Sequence, residues 1–263
     1  MRSLNAFAAA VLVVAAGTAG AATLEETFDK TFDVRSGANV ALDNTNGRIT
    51  IRGSNDNHVH IHALKHVEAR NSASARETLR DLRIDVTASS NGLKVTTHYP
   101  RNGGDGFLDW LTGNSVNAGV AYDVEVPHAV NLDVDTVNGR IEIAEVAGEL
   151  KLDTTNGHIE VSKCRGSLNA ETTNGAIKAE MLQVSSGRSI RLNTTNGRIT
   201  LTVPPSIAAS VDAETTNGSI NTELPVTTSS HIHRTSLRGT MNGGGPEIKL
   251  RTTNGGIEIL AAK

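Results

Sequence analysis

The sequence predicts an all-β fold, a single-stranded β-solenoid in which one short motif makes one coil. Two patterns and one scarcity predict it. An Asn-Gly pair recurs at Asn46, Asn138, Asn156, Asn174, Asn196, Asn217 and Asn254. Around each Asn, apolar residues alternate with polar ones. Six residues before it stand Val40, Leu132, Leu150, Leu168, Ile190, Val211 and Ile248, and four before it Leu42, Val134, Leu152, Ala170, Leu192, Ala213 and Leu250. Three after it stands isoleucine every time, from Ile49 to Ile257. Period two on both sides of a turn is a strand signature. Aromatic residues make up only 3% of the chain, so any core must be aliphatic and narrow.

Each unit reads strand, Thr-Thr-Asn-Gly corner, strand. Asn-Gly tolerates positive φ and suits both corners and hairpins. An antiparallel β-sandwich of hairpins is therefore the competing architecture. From Asn138 onward the spacings are 18, 18, 22, 21 and 37 residues. Coils of about 20 residues fall in the solenoid range, and the last interval fits two coils with a degenerate unit near Leu237-Arg238-Gly239. In that arrangement like residues stack, Ile on Ile inside and Asn on Asn at the corner.

Between Asn46 and Asn138 the chain leaves the repeat, over an insertion of about 53–130. His58 to Lys65 alternates and predicts a strand. Ser74-Ala75-Arg76-Glu77 has a capping-box pattern and predicts one short helix over about 74–82. Ile84–Ala88 and Leu93–His98 predict a strand pair around Asn91-Gly92. Arg101–Asn117 is Gly-rich and reads as a mobile loop, and Val120–Val126 alternates up to Pro127.

The run Asp-Thr-Thr-Asn-Gly-His-Ile-Glu-Val at 153–161 and its copies resemble the bacterial adhesin-like β-strand-repeat family, a domain of unknown function. The resemblance covers roughly residues 25–263. It implies a right-handed β-solenoid in the cell envelope and carries over no catalytic residue.

The N-terminus reads as an export signal over 1–22. Arg2 is followed by an apolar run from Ala6 to Ala16 and small residues up to Ala22. That run is shorter than the roughly 20 residues a membrane span needs. Cleavage near Ala21 or Ala22 leaves a mature domain of 23–263 with no later spanning segment, in the periplasm or outside the cell. No cysteine stands there for lipid attachment. Cys164 is the only cysteine, which excludes an internal disulfide and predicts a buried, inert thiol. Loss of Arg2 shifts the formal charge from −3 to −4. There is no basic block, which argues against nucleic acid and against docking on anionic lipid.

Candidate sites are few. His58, His60 and His62 share one strand face and could chelate zinc or copper. His66 lies near, and His231-x-His233 offers a second pair. An acidic row stands three residues before successive Asn residues, at Asp43, Asp135, Asp153, Glu171 and Glu214, broken by Asn193 and Arg251. Stacked carboxylates could hold calcium or do acid–base chemistry on a polysaccharide. Catalysis needs carboxylates in unequal surroundings, and a regular row supplies none. Phe107, Trp110 and Leu111 form the one aromatic-apolar cluster and read as a contact patch or a lid. No phosphate loop, Cys-x-x-Cys pair or nucleophile elbow occurs. The sequence thus points to a non-enzymatic envelope protein that needs no cofactor and presents a repetitive surface to an envelope protein or cell-surface component. A polysaccharide-binding β-helix and a metal binder are the alternatives. Because the last motif ends four residues before the C-terminus, self-association through an uncovered C-terminal coil is also expected.

Overall fold

The computed structural model describes residues 16–18, 21–89, 91–100, 116–184, 187–228 and 233–263. The described residues begin with β1 (Ala16–Thr18) and β2 (Ala21–Asp33), and a first coil follows from β3 (Asn39–Asp43) and β4 (Ile49–Ser54). It leaves the repeat through β5 (His58–Ala69), α1 (Ser72–Asp81), β6 (Arg83–Ser89), β7 (Gly92–His98) and β8 (Asn117–Pro127). It returns with β9 (Asn131–Asn138), β10 (Ile141–Ala144), β11 (Ala147–Asn156), β12 (Ile159–Asn174) and β13 (Ile177–Gln183). There follow β14 (Ile190–Asn196), β15 (Ile199–Val203), β16 (Ala209–Asn217), β17 (Ile220–Thr222), β18 (Ser236–Met241), β19 (Glu247–Asn254) and β20 (Ile257–Ala261).

These strands build a solenoid-like rack with two faces. Strands that precede the Asn-Gly corner form one face, in the order β6, β7, β3, β9, β11, second half of β12, β14, β19, β16, β18. Strands that follow it form the other, in the order β2, β5, β8, β4, β10, first half of β12, β13, β15, β20, β17. Within the repeat the motif strands pair parallel and in register, Ile141 beside Ile159 and Leu150 beside Leu168, with a shift only where β12 passes β13 beyond Val161. The antiparallel alternative holds only at the ends, where β2, β5 and β8 pair, β6 meets β7, and β18 meets β16. The reason is that each corner turns the chain from one face to the other instead of folding it back on its own strand.

The core lies between the faces. Ile49, Ile141, Ile159, Ile177, Ile199 and Ile257 are fully buried, and Ile220, on the end strand β17, is half-buried. Burying one such side chain contributes about 1.5–3 kcal/mol, and the stack repeats that gain coil after coil. The inserted elements extend the rack: β7 pairs beside β3, β8 beside β4, and α1 packs on β2 and β5.

Two expectations need correction. The helix starts earlier than predicted, because Asn71 and not Ser74 is its N-cap; the Asn71 side chain accepts from the Ser74 backbone N–H at 2.9 Å. The C-terminal coil is not at an end. β19 lies between β14 and β16, and β20 between β15 and β17, so both of its edges are paired. The free edge on which self-association was expected is therefore absent there. The segment near Leu237 is no coil of the stack; it is β18, which covers the outer edge of β16. Among the described residues no helix is long and apolar enough to cross a membrane.

Candidate interaction surface

The corner motif runs down one edge of the rack as a continuous ridge. Asn138 donates its side-chain amide to Asn46 Oδ1 at 2.8 Å, Asn156 to Asn138, Asn174 to Asn156 and Asn196 to Asn174 at 2.9 Å each. Asn254 then donates to Asn196, and Asn217 to Asn254, both at 2.8 Å. Each amide between the two ends, Asn46 and Asn217, spends one N–H and one oxygen lone pair on the ladder, which leaves further donor and acceptor capacity on exposed side chains. Six of the seven, all but the half-buried Asn46, are exposed.

Beneath the ladder the first Thr of five motifs is buried and ties neighbouring coils together. Thr154, Thr172, Thr194, Thr252 and Thr215 donate to the carbonyls of Gly139, Gly157, Gly175, Gly197 and Gly255 at 2.8–3.2 Å. The second Thr, at 155, 173, 195, 253 and 216, is exposed on the ridge. Glycine follows Asn for a reason the sequence did not reveal. Only Gly47 of the seven lies in the left-handed region, at φ 124°. At the others a Cβ would collide with the carbonyl of the glycine one coil away. Close stacking, more than turn chirality, requires glycine.

From the residue before each Asn to the second after it, the ridge carries no acid. It carries Arg48, Arg140, His158 and Arg198. Arg48 meets Asp123 at 3.6 Å, Arg140 meets Glu142 at 3.2 Å, and Arg198 meets Glu258 at 2.8 Å, all on the adjoining face.

The acidic row stacks as expected from Asp43 through Asp135 and Asp153 to Glu171. Lys94 and Lys151 partly neutralise it, at 2.9 Å from Asp43 and 3.6 Å from Asp153 respectively; Lys151 also meets Asp133, beside the row, at 2.9 Å. Burial, with the neighbouring carboxylates Asp153, Asp133 and Asp43, pushes the Asp135 carboxyl up against the pull of Lys151. Arg251, which interrupts the row, has its own role. It binds Asp212 at 2.6 Å and lies 3.5 Å from Glu214. Arg238 meets Asp212 at 3.1 Å. The two guanidiniums hold the Asp212 carboxyl below its usual range, against the opposing effect of burial.

The histidines of β5 are engaged by acids on β2, which the sequence reading missed because the pairing is long-range. Asp29 bridges His60 Nε2 at 3.1 Å and His62 Nδ1 at 2.9 Å. Asp33 meets His58 at 2.6 Å, and Glu25 meets His66 at 3.2 Å. Burial raises the Asp29 carboxyl, but the bonds from His62 and His60 outweigh it and leave it lowered. Among the described residues no group of three or more His, Cys, Asp or Glu is placed to hold a metal ion. Cys164 is buried, and burial pushes its thiol up to about 11, so it is a protonated core residue. Phe107, Trp110, Leu111 and His231 lie outside the described residues. Tyr99 is a further contact that sequence reasoning passed over: its hydroxyl sits 2.9 Å from Asn44 Oδ1 and 2.8 Å from the Asn46 carbonyl, anchoring the first rung.

A rack of parallel coils with a stacked asparagine edge defines the class of this protein as a β-strand-repeat domain. The Toastrack DUF4097 family matches residues 112–260, and the chain belongs to that family. No curated protein matches it. Among solved structures, a candidate cell adhesion protein from Clostridium sporogenes is similar at a TM-score of 0.50 and 12% identity, covering 90% of this chain and all of that one. This likeness is one of fold. A candidate adhesin from Bacteroides fragilis (TM-score 0.29, 11% identity, 90% and 97% covered) superposes too loosely to bear on the argument.

Proposed function

We propose that this protein is an exported, non-enzymatic envelope protein that uses its corner ridge for adhesin-like contact with an envelope protein or cell-surface component. One observation carries the reading. The ridge presents a hydrogen-bonded line of Asn side chains, joined in five of the seven coils by an exposed Thr, with arginines beside it and no carboxylate within it. Because the ladder fixes the Asn side chains in advance, a partner meeting them pays little ordering entropy. A solenoid makes such a surface from neighbour contacts alone. Export agrees with the strand pattern: pairing of β2 with β5 begins at Ala22, so cleavage near Ala21 or Ala22 would leave that pairing nearly whole. The fold likeness to a candidate cell adhesion protein is consistent with this reading.

The test is capture of envelope fractions by the immobilised mature protein, beside the variant Thr173→Glu/Thr195→Glu. Both positions are exposed, so the variant should fold like the parent and lose most of the captured material. Treating the fractions with protease or with glycosidase tells a protein partner from a glycan. Capture by the variant equal to the parent's would remove the ridge from the contact, and no capture by the parent would remove the adhesive reading.

A further inference from the structure

We propose that the C-terminal coil, β19 and β20, is exchangeable, and that a second copy of this chain can supply it in trans to give a coil-swapped dimer. The coil sits in a slot between two others that precede it in the chain. β14 and β15 wall one side, β16 and β17 the other. Its side chains bind both walls. Asn254 joins Asn196 to Asn217, Thr252 reaches the Gly197 carbonyl at 3.0 Å, and Thr215 reaches the Gly255 carbonyl at 2.8 Å. Glu247 meets Arg191 at 3.1 Å, Glu258 meets Arg198 at 2.8 Å, and Arg251 meets Asp212 at 2.6 Å. A second copy's coil would make every one of these contacts unchanged. Exchange of an identical element is a low-cost route to a dimer for this reason.

The connection to the coil is built as a crossover. β18 lies on the outer side of β16 and β19 on its inner side, so residues 242–246 must pass across the start of β16. Asn242, Gly243 and Gly244 take φ of 45°, 88° and 86°, three left-handed residues in succession. The Asn242 amide is pinned to the carbonyls of Pro205 and Ile207 at 3.0 and 2.9 Å. Straightening this crossover sends β19 away from its own slot. The walls themselves are matched to one another. With the coil gone, the register would bring Asn217 to Asn196, Ile220 to Ile199, Val211 to Ile190, and Asp212 to the cation Arg191. The vacated slot can therefore close on itself during exchange, an alternative packing of the same sequence.

The experiment uses full-length chains in which Cys164→Ala removes the native thiol. Thr200 and Glu258 are direct partners on β15 and β20. Parallel neighbours about 4.8 Å apart lie within disulfide reach of about 4.4–6.8 Å. A Thr200→Cys chain and a Glu258→Cys chain are mixed at high concentration in sub-denaturing urea, diluted and oxidised. The expected result is a disulfide-linked pair of the two chains, its share rising with protein concentration. A chain carrying both cysteines, oxidised beforehand, should lock its own coil and stay out of the exchange. If the double variant locks internally while the mixed chains give no linked pair, exchange is overturned. If the internal lock does not form, sedimentation of the parent after the same treatment decides: a concentration-dependent dimer supports exchange, and a strict monomer overturns it.

Discussion

Gly175 and Thr173 stand two residues apart on the ridge and should respond in opposite ways. A Cβ on Gly175 would strike the Gly157 carbonyl, which is itself stacked on the next coil. Neither backbone can give way without breaking the ladder above and below. Gly175→Ala should therefore cost at least the roughly 1–3 kcal/mol typical of overpacking, read as a lower urea midpoint. Thr173→Ala, at an exposed position, should stay within about 0.5 kcal/mol of the parent; the reverse order would show that the coils are not stacked on glycine. Asp29 makes a second prediction at this scale. Its folded carboxyl is lowered, so its contribution is present above the ordinary carboxylate range and lost as pH falls through the folded value. Its side chain is 42% exposed, which limits the effect to about 1 kcal/mol or less. Asp29→Asn should lower stability near neutral pH, and parent and variant should converge in acid. A gap that persists undiminished in strong acid, below the folded carboxyl value, would rule out the His60–Asp29–His62 contact as its source.

Among the elements, burial along the isoleucine column sets a gradient that mutation can read. Ile177 is fully buried between β12 and β15, whereas Ile220 lies half-buried on the end strand β17. Ile177→Ala should cost about 2–5 kcal/mol and weaken the coils on both sides together. Ile220→Ala should cost clearly less, and equal losses would mean that β17 is not an end. The strands themselves were legible in the sequence, because period-two alternation around a fixed Asn leaves one choice of inward face. The helix was legible in kind but not in its start, since Asn71 and Ser74 are equally good caps and only the turn actually adopted decides between them. The partners of the β5 histidines were not legible. Asp29 and His60 are 31 residues apart, and nothing local announces that β2 and β5 pair. The role of Thr was hidden for another reason: the alternation marks Thr154 as inward, but only the stacked Gly139 carbonyl explains why a hydroxyl is kept there.

Over the whole molecule, chain order and spatial order differ, and the motif itself conceals this. Every coil carries the same apolar pair, the same Asn-Gly and the same Ile, so each can stack on any other in register. The sequence alone therefore could not tell that the last coil enters between the fifth and sixth Asn-Gly units. What selects the slot is found outside the motif, in the crossover at Asn242–Gly245 and in Arg251 set against Asp212 and Glu214. Native-state hydrogen exchange can test this placement directly. Chain termini ordinarily fray first, because few contacts hold them. Here the order should be inverted. Amides of Ile248–Arg251 and Ile257–Ile259 pair on both edges and surround the buried Ile248, Leu250, Ile257 and Ile259, so they should be among the slowest to exchange. Asn221 and Thr222, although more than 40 residues from the C-terminus, lie on a strand that pairs with β20 on one side and, at its start, only with the Arg234 carbonyl on the other, so their amides should exchange sooner. If the final coil exchanged before β17, it would lie at the end of the rack after all, and the slot between β14 and β16 would not exist.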